Sequence, residues 1–430
     1  MSLFHGLLLA ACHVLLFAAA RRTRSAYLLL LNLVFLFIVS GQVLYVLARF
    51  ADPSTRTIQI LRDTISRSGA GIAIVYYEIV LGLFTLFVYG DRWFLSVSGQ
   101  PGVGLSRAHE RPRSTRYGYI TAGAVAGLAL LYLSRVIGGF GELFSNARPA
   151  NVPGATFPLL FIFTARLPVL RRIYYEGRVR TADVVLLVAI LAILNLAGSR
   201  LLMVLTLLPV ILLFLRRRRI QIGLRLAALG AVAALGILLV PQALKAWQGE
   251  EVSGNVFDVV GDTAGTLYSL QVEGISSVAG FVTRVEEHGL EVDGGLSLVS
   301  VLFRFVPSQL RAPFTDVDQA LSSFYPHSQS IVPSGLQAGL AHFGPLAILI
   351  LPAIWYFGFR LEQRKILGTT TNGSRQTMVA TLLVAHLIAL VRGSSEHFLF
   401  YLAADLVFSF VHMGAHGVAG ILSLRPRRST

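Results

Sequence analysis

Apolar runs of about 20 residues, each nearly free of charge, recur along this 430-residue chain and are separated by arginine-rich segments. Such a run lets an α-helix cross a hydrocarbon core about 30 Å thick. Composition agrees: 54% of residues are hydrophobic and only 14% charged. A mean hydropathy of +0.67 is rare for a soluble chain of this length. The expected fold is all-α, a polytopic integral membrane helical bundle.

Reading spans between the basic segments gives about eleven transmembrane helices. They fall at residues 3–20, 26–49, 70–90, 119–139, 154–170, 184–198, 201–215, 222–243, 335–359, 377–391 and 398–422. The arginines concentrate at 21–24, 92–116, 171–180, 216–225, 360–375 and 425–428, and cytoplasmic loops carry such an excess. With those loops inside, the N-terminus lies outside, the C-terminus lies in the cytoplasm, and the alternation closes. The pair around Gly198, Ser199 and Arg200 is the weakest point: 184–215 as one long or broken helix would change the parity. The formal charge of +15 therefore reflects topology and headgroup anchoring, and no nucleic acid partner is implied. Arg21, Arg22 and Arg24 follow the first apolar run, whereas a secretory signal carries its positive charges before it; the run reads as a retained helix. Cys12 is the single cysteine, so neither a disulfide framework nor a cysteine metal site is expected.

Three segments follow: an N-terminal transmembrane bundle over 1–243, one long extracytoplasmic loop over 244–333, and C-terminal transmembrane helices over 334–430. In the loop the composition inverts, with eleven acids against Lys245, Arg284, Arg304 and Arg311. It is long enough to form short helices of its own over the membrane face. Arg200 and Arg392 end or begin apolar runs on the same side as this loop. A guanidinium held deep in a bilayer costs roughly 2.5–3.5 kcal/mol on insertion scales. Two of them beside the loop point to an anionic ligand at the extracytoplasmic face, with snorkelling to headgroups as the alternative.

The loop segment from Gly294 to Pro313 contains Gly294, Gly295 and Ser297, then an apolar run to Val306 and Pro307, then Arg311 and Pro313. It resembles a block of the Wzy-type oligosaccharide repeat-unit polymerases. Gly335, Gly339, Phe343 and Gly344 resemble the start of the following span in that family. Gly198, Ser199 and Arg200, and later Val391, Arg392 and Gly393, resemble its small-residue-plus-Arg and Arg-Gly elements. The likeness covers roughly the C-terminal half, 194–402. It departs from the family after Pro307, where Ser308 and Gln309 replace an expected basic residue, and this weakens the assignment of Arg311.

The resemblance implies a glycosyltransfer outside the cytoplasm, at the bacterial inner membrane. A glycan on undecaprenyl diphosphate moves onto a second lipid-linked repeat unit, yielding O-antigen, capsule or exopolysaccharide. Donor and acceptor are both undecaprenyl-diphosphate-linked oligosaccharides; the lipid bilayer is the medium, and a chain-length regulator is an admissible protein partner. The leaving diphosphate needs cationic donors, and Arg200, Arg392, Arg304 and Arg311 are available, guanidinium binding phosphate oxygens bidentately. A general base or orienting acceptor is open among His327, Glu396, His397 and Glu273. Each has a structural alternative: a loop histidine bonded to backbone, a helix N-terminal cap, or a solvated acid. Two rival functions remain, an O-antigen ligase and a lipid-linked oligosaccharide flippase.

No metal and no cofactor are expected. Asp316, Val317 and Asp318 form a D-x-D, a three-residue match that arises often by chance. Phosphate loops, dinucleotide fingerprints and nucleophile elbows are absent from the sequence. Arg166, close to Arg171 and Arg172, is expected to snorkel towards the cytoplasm. His386, His412 and His416 are read as interhelical hydrogen bonders, with Asp405 expected to find a partner such as one of them.

Overall fold

The computed structural model describes residues 3–36, 67–95, 115–143, 155–176, 179–218, 278–283, 285–286, 335–366, 374–391 and 399–407. Every regular element among these is helical. Among the described residues, four stretches are long and apolar enough to cross a membrane: Phe4–Thr23, Gly71–Asp91, Gly118–Val136 and Gly335–Arg364. Ala26–Leu36, Thr181–Leu196, Leu201–Phe214 and Thr377–Ala389 are apolar but shorter. Phe4, Leu86, Leu128 and Val185 are exposed on the helices' outer faces. An apolar exterior around a packed interior suits lipid rather than water. The span expected at 222–243, most of the one at 398–422, and nearly all of the 244–333 loop lie outside the described residues.

The described helices fall into two compact units. The first contains α1 (Leu3–Thr23), α2 (Ala26–Leu36), α3 (Arg67–Leu95), α9 (Gly335–Phe343) and α10 (Ala347–Leu361). Helix α1 closes with Arg24 at φ 55°, and the Ser25 N–H returns to the Ala20 carbonyl at 3.0 Å. That is a Schellman closure, with arginine in a conformation glycine usually takes. Ser25 then caps α2, its Oγ accepting the Leu28 N–H at 3.0 Å, so the two helices form a tight hairpin. Phe35, Tyr77, Phe84 and Trp355 fill the core between α2, α3 and α10, none of them more than 1% exposed. The Phe35 and Trp355 rings meet edge to face at 4.9 Å and 87°.

The second unit contains α4 (Thr115–Val136), α5 (Thr156–Thr164), α6 (Leu167–Glu176), α7 (Thr181–Leu196), α8 (Arg200–Arg218) and the part of α11 (Ser374–Ala389) up to Ala385. Two helices, α5 and α6, stand where the sequence suggests one span over 154–170. Pro168 explains the break, because its ring collides with the carbonyl four residues back and it donates no N–H. Helix α5 accordingly stops at Thr164 and α6 restarts at Leu167. The region 184–215 is two helices and not one. Leu187 of α7 and Leu213 of α8 share a core cluster with Leu167, Leu170, Ile173 and Leu382, as an antiparallel pair requires.

Candidate functional site

The turn between α7 and α8 carries Arg200, the one candidate site residue that falls among the described residues. Gly198 has φ 76°, where a side chain would be strained, and supplies the left-handed residue that ends α7. The Ser199 N–H reaches the Leu194 carbonyl at 2.9 Å and the Gly198 N–H reaches Asn195 at 2.8 Å. The Ser199 carbonyl accepts the Met203 N–H at 3.2 Å, so α8 starts there and Arg200 is its first helical residue. Each member of the Gly-Ser-Arg triplet thus has a position: helix stop, helix cap and first residue. A cation at a helix N-terminus opposes the helix dipole, whereas an anion there is favoured by about 0.3–1 kcal/mol.

The opposite end of α7 is held by charge. Asp183, fully buried, accepts the Arg180 backbone N–H at 2.7 Å and the Arg172 Nη1 at 3.3 Å, and is hydrogen-bonded by the Tyr119 hydroxyl. The Arg172 guanidinium stacks 4.5 Å from the Tyr119 ring centre. Glu176 joins Arg172 and Arg180 at 3.7 and 3.0 Å. Arg172 is only 5% exposed, so it is a structural ion-pair partner, whereas Arg180 is exposed and pairs with Glu176.

Arg166 does not snorkel. Its side chain is fully buried, donates Nη1 to the Phe163 carbonyl at 2.9 Å, lies 3.6 Å over the Phe163 ring and forms an ion pair with Asp405 through Nη2. The break at 165–166 turns Arg166 into the unit, and Asp405 supplies the counter-charge. Asp405 therefore pairs with arginine where histidine was expected. His386 is fully buried, while His412 and His416 lie outside the described residues.

In the first unit the polar contacts collect at two ends. At one end, Glu362 accepts from the Ser25 hydroxyl and the Tyr27 backbone N–H (2.9 Å), and Arg360 donates Nη1 to both oxygens of Asp91 at 2.8 and 2.6 Å. At the other, His5 Nδ1 lies 2.7 Å from Glu78 Oε2, and the Tyr76 hydroxyl donates to the Leu336 carbonyl at 3.3 Å. Between them, His13 Nδ1 meets Asn32 Oδ1 at 2.7 Å, and Cys12 lies against Thr85. These pairings show that α1, α3 and the α9–α10 stretch run parallel to one another, with their arginine-rich ends together.

Of the sequence-predicted residues, Arg200 is described by its backbone alone. Arg392, Arg304, Arg311, His327, Glu396, His397 and Glu273 lie outside the described residues, as do Asp316 and Asp318. Among the described residues no three His, Cys, Asp or Glu side chains converge as metal ligands would. His5 and Glu78 are not among the residues the sequence singles out. A signal for them exists, since Glu78 is the lone acid inside the apolar run 70–90, and an ionisable residue within a span is a functional candidate by default.

The chain matches no known family, no curated protein and no solved structure.

Proposed function

We propose that this chain is a glycosyltransferase of the bacterial inner membrane that polymerises undecaprenyl-diphosphate-linked oligosaccharide repeat units on the extracytoplasmic side. The observation that carries this reading is the turn at Gly198, Ser199 and Arg200. There, Arg200 is the first residue of a helix, at the end where first-turn backbone N–H groups have no partner within the helix. Both favour an anion, and a diphosphate leaving group is one. The loop sequence from Gly294 to Pro313 and the arginines 304, 311 and 392 supply the remaining likeness to the polymerases.

In this mechanism the four arginines hold the donor diphosphate. A sugar hydroxyl of the acceptor attacks the anomeric carbon, the bond to the diphosphate breaks, and undecaprenyl diphosphate leaves with the electron pair. His327, Glu396, His397 and Glu273 are candidates for orienting the hydroxyl. The test is reconstitution of the purified chain with lipid-linked repeat units extracted from cells in which this gene is deleted. A ladder of glycan lengths is the expected product. Transfer of finished glycan to lipid A core, with no ladder, would identify a ligase. Movement between leaflets with no new bond would identify a flippase.

A further inference from the structure

We propose that the turn between α1 and α2 is a binding site for an anionic phospholipid of the cytoplasmic leaflet. Arg21 and Arg24 hold its phosphate, and an acyl chain lies along the exposed face of α1. Arg21, Arg22 and Arg24 are all exposed. None of their guanidinium groups joins an ion pair or hydrogen bond among the described residues. Helix α1 is long enough to cross the hydrocarbon core, so its last turn falls at headgroup level. The arginine pattern assigns that end to the cytoplasm.

Three features separate this turn from a segment that only sets topology. The first is Arg24 itself. At φ 55° it is the one non-glycine residue in the left-handed region among the described residues. Glycine closes such a turn with less strain, and Arg21 and Arg22 already supply the positive charge that orientation requires. A guanidinium kept there against the backbone preference, with no described residue to receive it, serves a ligand outside the chain. The second is the state of the acids at this end of the unit. Asp91 holds Arg360 with both oxygens, and Glu362, 2% exposed, accepts from Ser25 and Tyr27. Thr23, between the arginines, turns its hydroxyl back to the Ala19 carbonyl at 2.8 Å. These contacts fix the turn and leave its positive charge uncompensated among the described residues.

The third feature is continuity with an apolar face. Leu7, Val14 and Arg21 recur every seven residues and Phe17 stands between the last two, so the four share one side of α1. Leu7, Val14 and Phe17 are exposed. An acyl chain laid against them brings its phosphate to Arg21 at the helix end, with Arg24 on the turn that follows. Guanidinium groups donate to phosphate oxygens in pairs, which fixes the headgroup as well as attracting it. A soluble anion would use the arginines and leave the apolar stripe unused; a phospholipid fits both. This site is independent of the glycosyl transfer proposed above.

The experiment uses the full-length chain in detergent micelles doped with phosphatidylglycerol or phosphatidylcholine, and follows the melting temperature as the phosphatidylglycerol fraction rises. Wild type should melt higher with phosphatidylglycerol than with phosphatidylcholine, and the increment should saturate. R21Q and R24G should each raise the half-saturating fraction about fivefold, the effect of one basic contact at a membrane surface. In phosphatidylcholine alone R24G should melt no lower than wild type, because glycine relaxes the turn. A lower value there would make Arg24 part of the fold's own packing and overturn the site. R180Q removes an exposed arginine already paired with Glu176 and should keep the wild-type response. If R180Q loses as much as R24G, the effect is one of general charge and the site is overturned. The same follows if phosphatidylglycerol gives wild type no increment, or if inorganic phosphate or polyglutamate reproduces it in phosphatidylcholine micelles. Should R21Q fail to fold, R24G decides, since it keeps Arg21 and Arg22 and suits the conformation of the turn.

Discussion

Arg166 and Asp405, 239 residues apart in sequence, form a fully buried ion pair at the break between α5 and α6. The break and the pair depend on each other. Pro168 opens the helix, and the freed turn aims the guanidinium at the Asp405 carboxylate. Removing one member of a buried pair leaves an isolated charge and costs about 3–5 kcal/mol, whereas replacing both with apolar residues of similar volume is often neutral. R166A and D405A should therefore each sharply lower the detergent-solubilised melting temperature, and R166M/D405L should recover most of it. Additive losses in the double variant would show that the two residues are not coupled.

Glu362 belongs to a different class of buried acid. It reaches from the end of α10 to the first turn of α2, accepting from Ser25 Oγ and the Tyr27 N–H, and so caps a helix distant in sequence. Hydrogen bonds to a charged group contribute about 1.5–3 kcal/mol, and the Ser25 cap itself about 0.5–2 kcal/mol. E362Q should destabilise by the first amount, because the amide loses the charge and keeps only one of the two acceptor oxygens that Ser25 and Tyr27 use. S25A should destabilise by the second. Hydrogen exchange at residues 26–28 should accelerate in both, with α3 unaffected.

Close approach at Gly358 gives a sharper contrast. A Cβ there would lie 2.6 Å from the Tyr27 hydroxyl and 2.8 Å from Leu387 Cδ1, and Tyr27 is pinned by its bond to the Trp355 carbonyl at 2.9 Å. G358A should cost about 1–3 kcal/mol, the usual range for overpacking. At Gly127 in α4 a methyl group would meet nothing within 4 Å, so G127A should stabilise its helix by about 0.5–1 kcal/mol. Thermal unfolding of the two variants side by side tests the packing directly. Equal behaviour would argue that α2, α10 and α11 do not approach one another this closely.

Local signals in the chain were legible where chemistry acts over a few residues. Gly198 followed by Ser199 marks a helix stop and start, and the apolar runs mark helices. Pro168 was an equally local signal for the α5–α6 break, hidden because the flanking residues are as apolar as a continuous span. The pairings Arg166 with Asp405, Glu362 with Ser25, and His5 with Glu78 were not legible. Each joins helices whose approach depends on the packing of the whole unit, and hydropathy treats every such residue as an isolated cost. Arg172 shows the same limit: an arginine count cannot distinguish a headgroup anchor from a residue that finds Asp183 on the next helix.

The diphosphate assignment rests on Arg200 and Arg392, and its test is chemical rather than structural. Arg200 stands first in α8, where the helix dipole disfavours a cation unless an anion is shared with it. Lysine would keep the charge but lose the bidentate fork, so R200K and R392K should fail almost as badly as R200A and R392A. Loss of a partly buried, charge-assisted contact should cost on the order of 2–5 kcal/mol in binding. Cells carrying either variant should make glycans of a single repeat unit at normal protein levels. The comparison is R425A, in the arginine-rich C-terminal segment assigned to the cytoplasm, which should keep the full ladder. If R200A and R392A both kept that ladder as well, the arginines would be headgroup anchors, and the diphosphate would have to be held elsewhere.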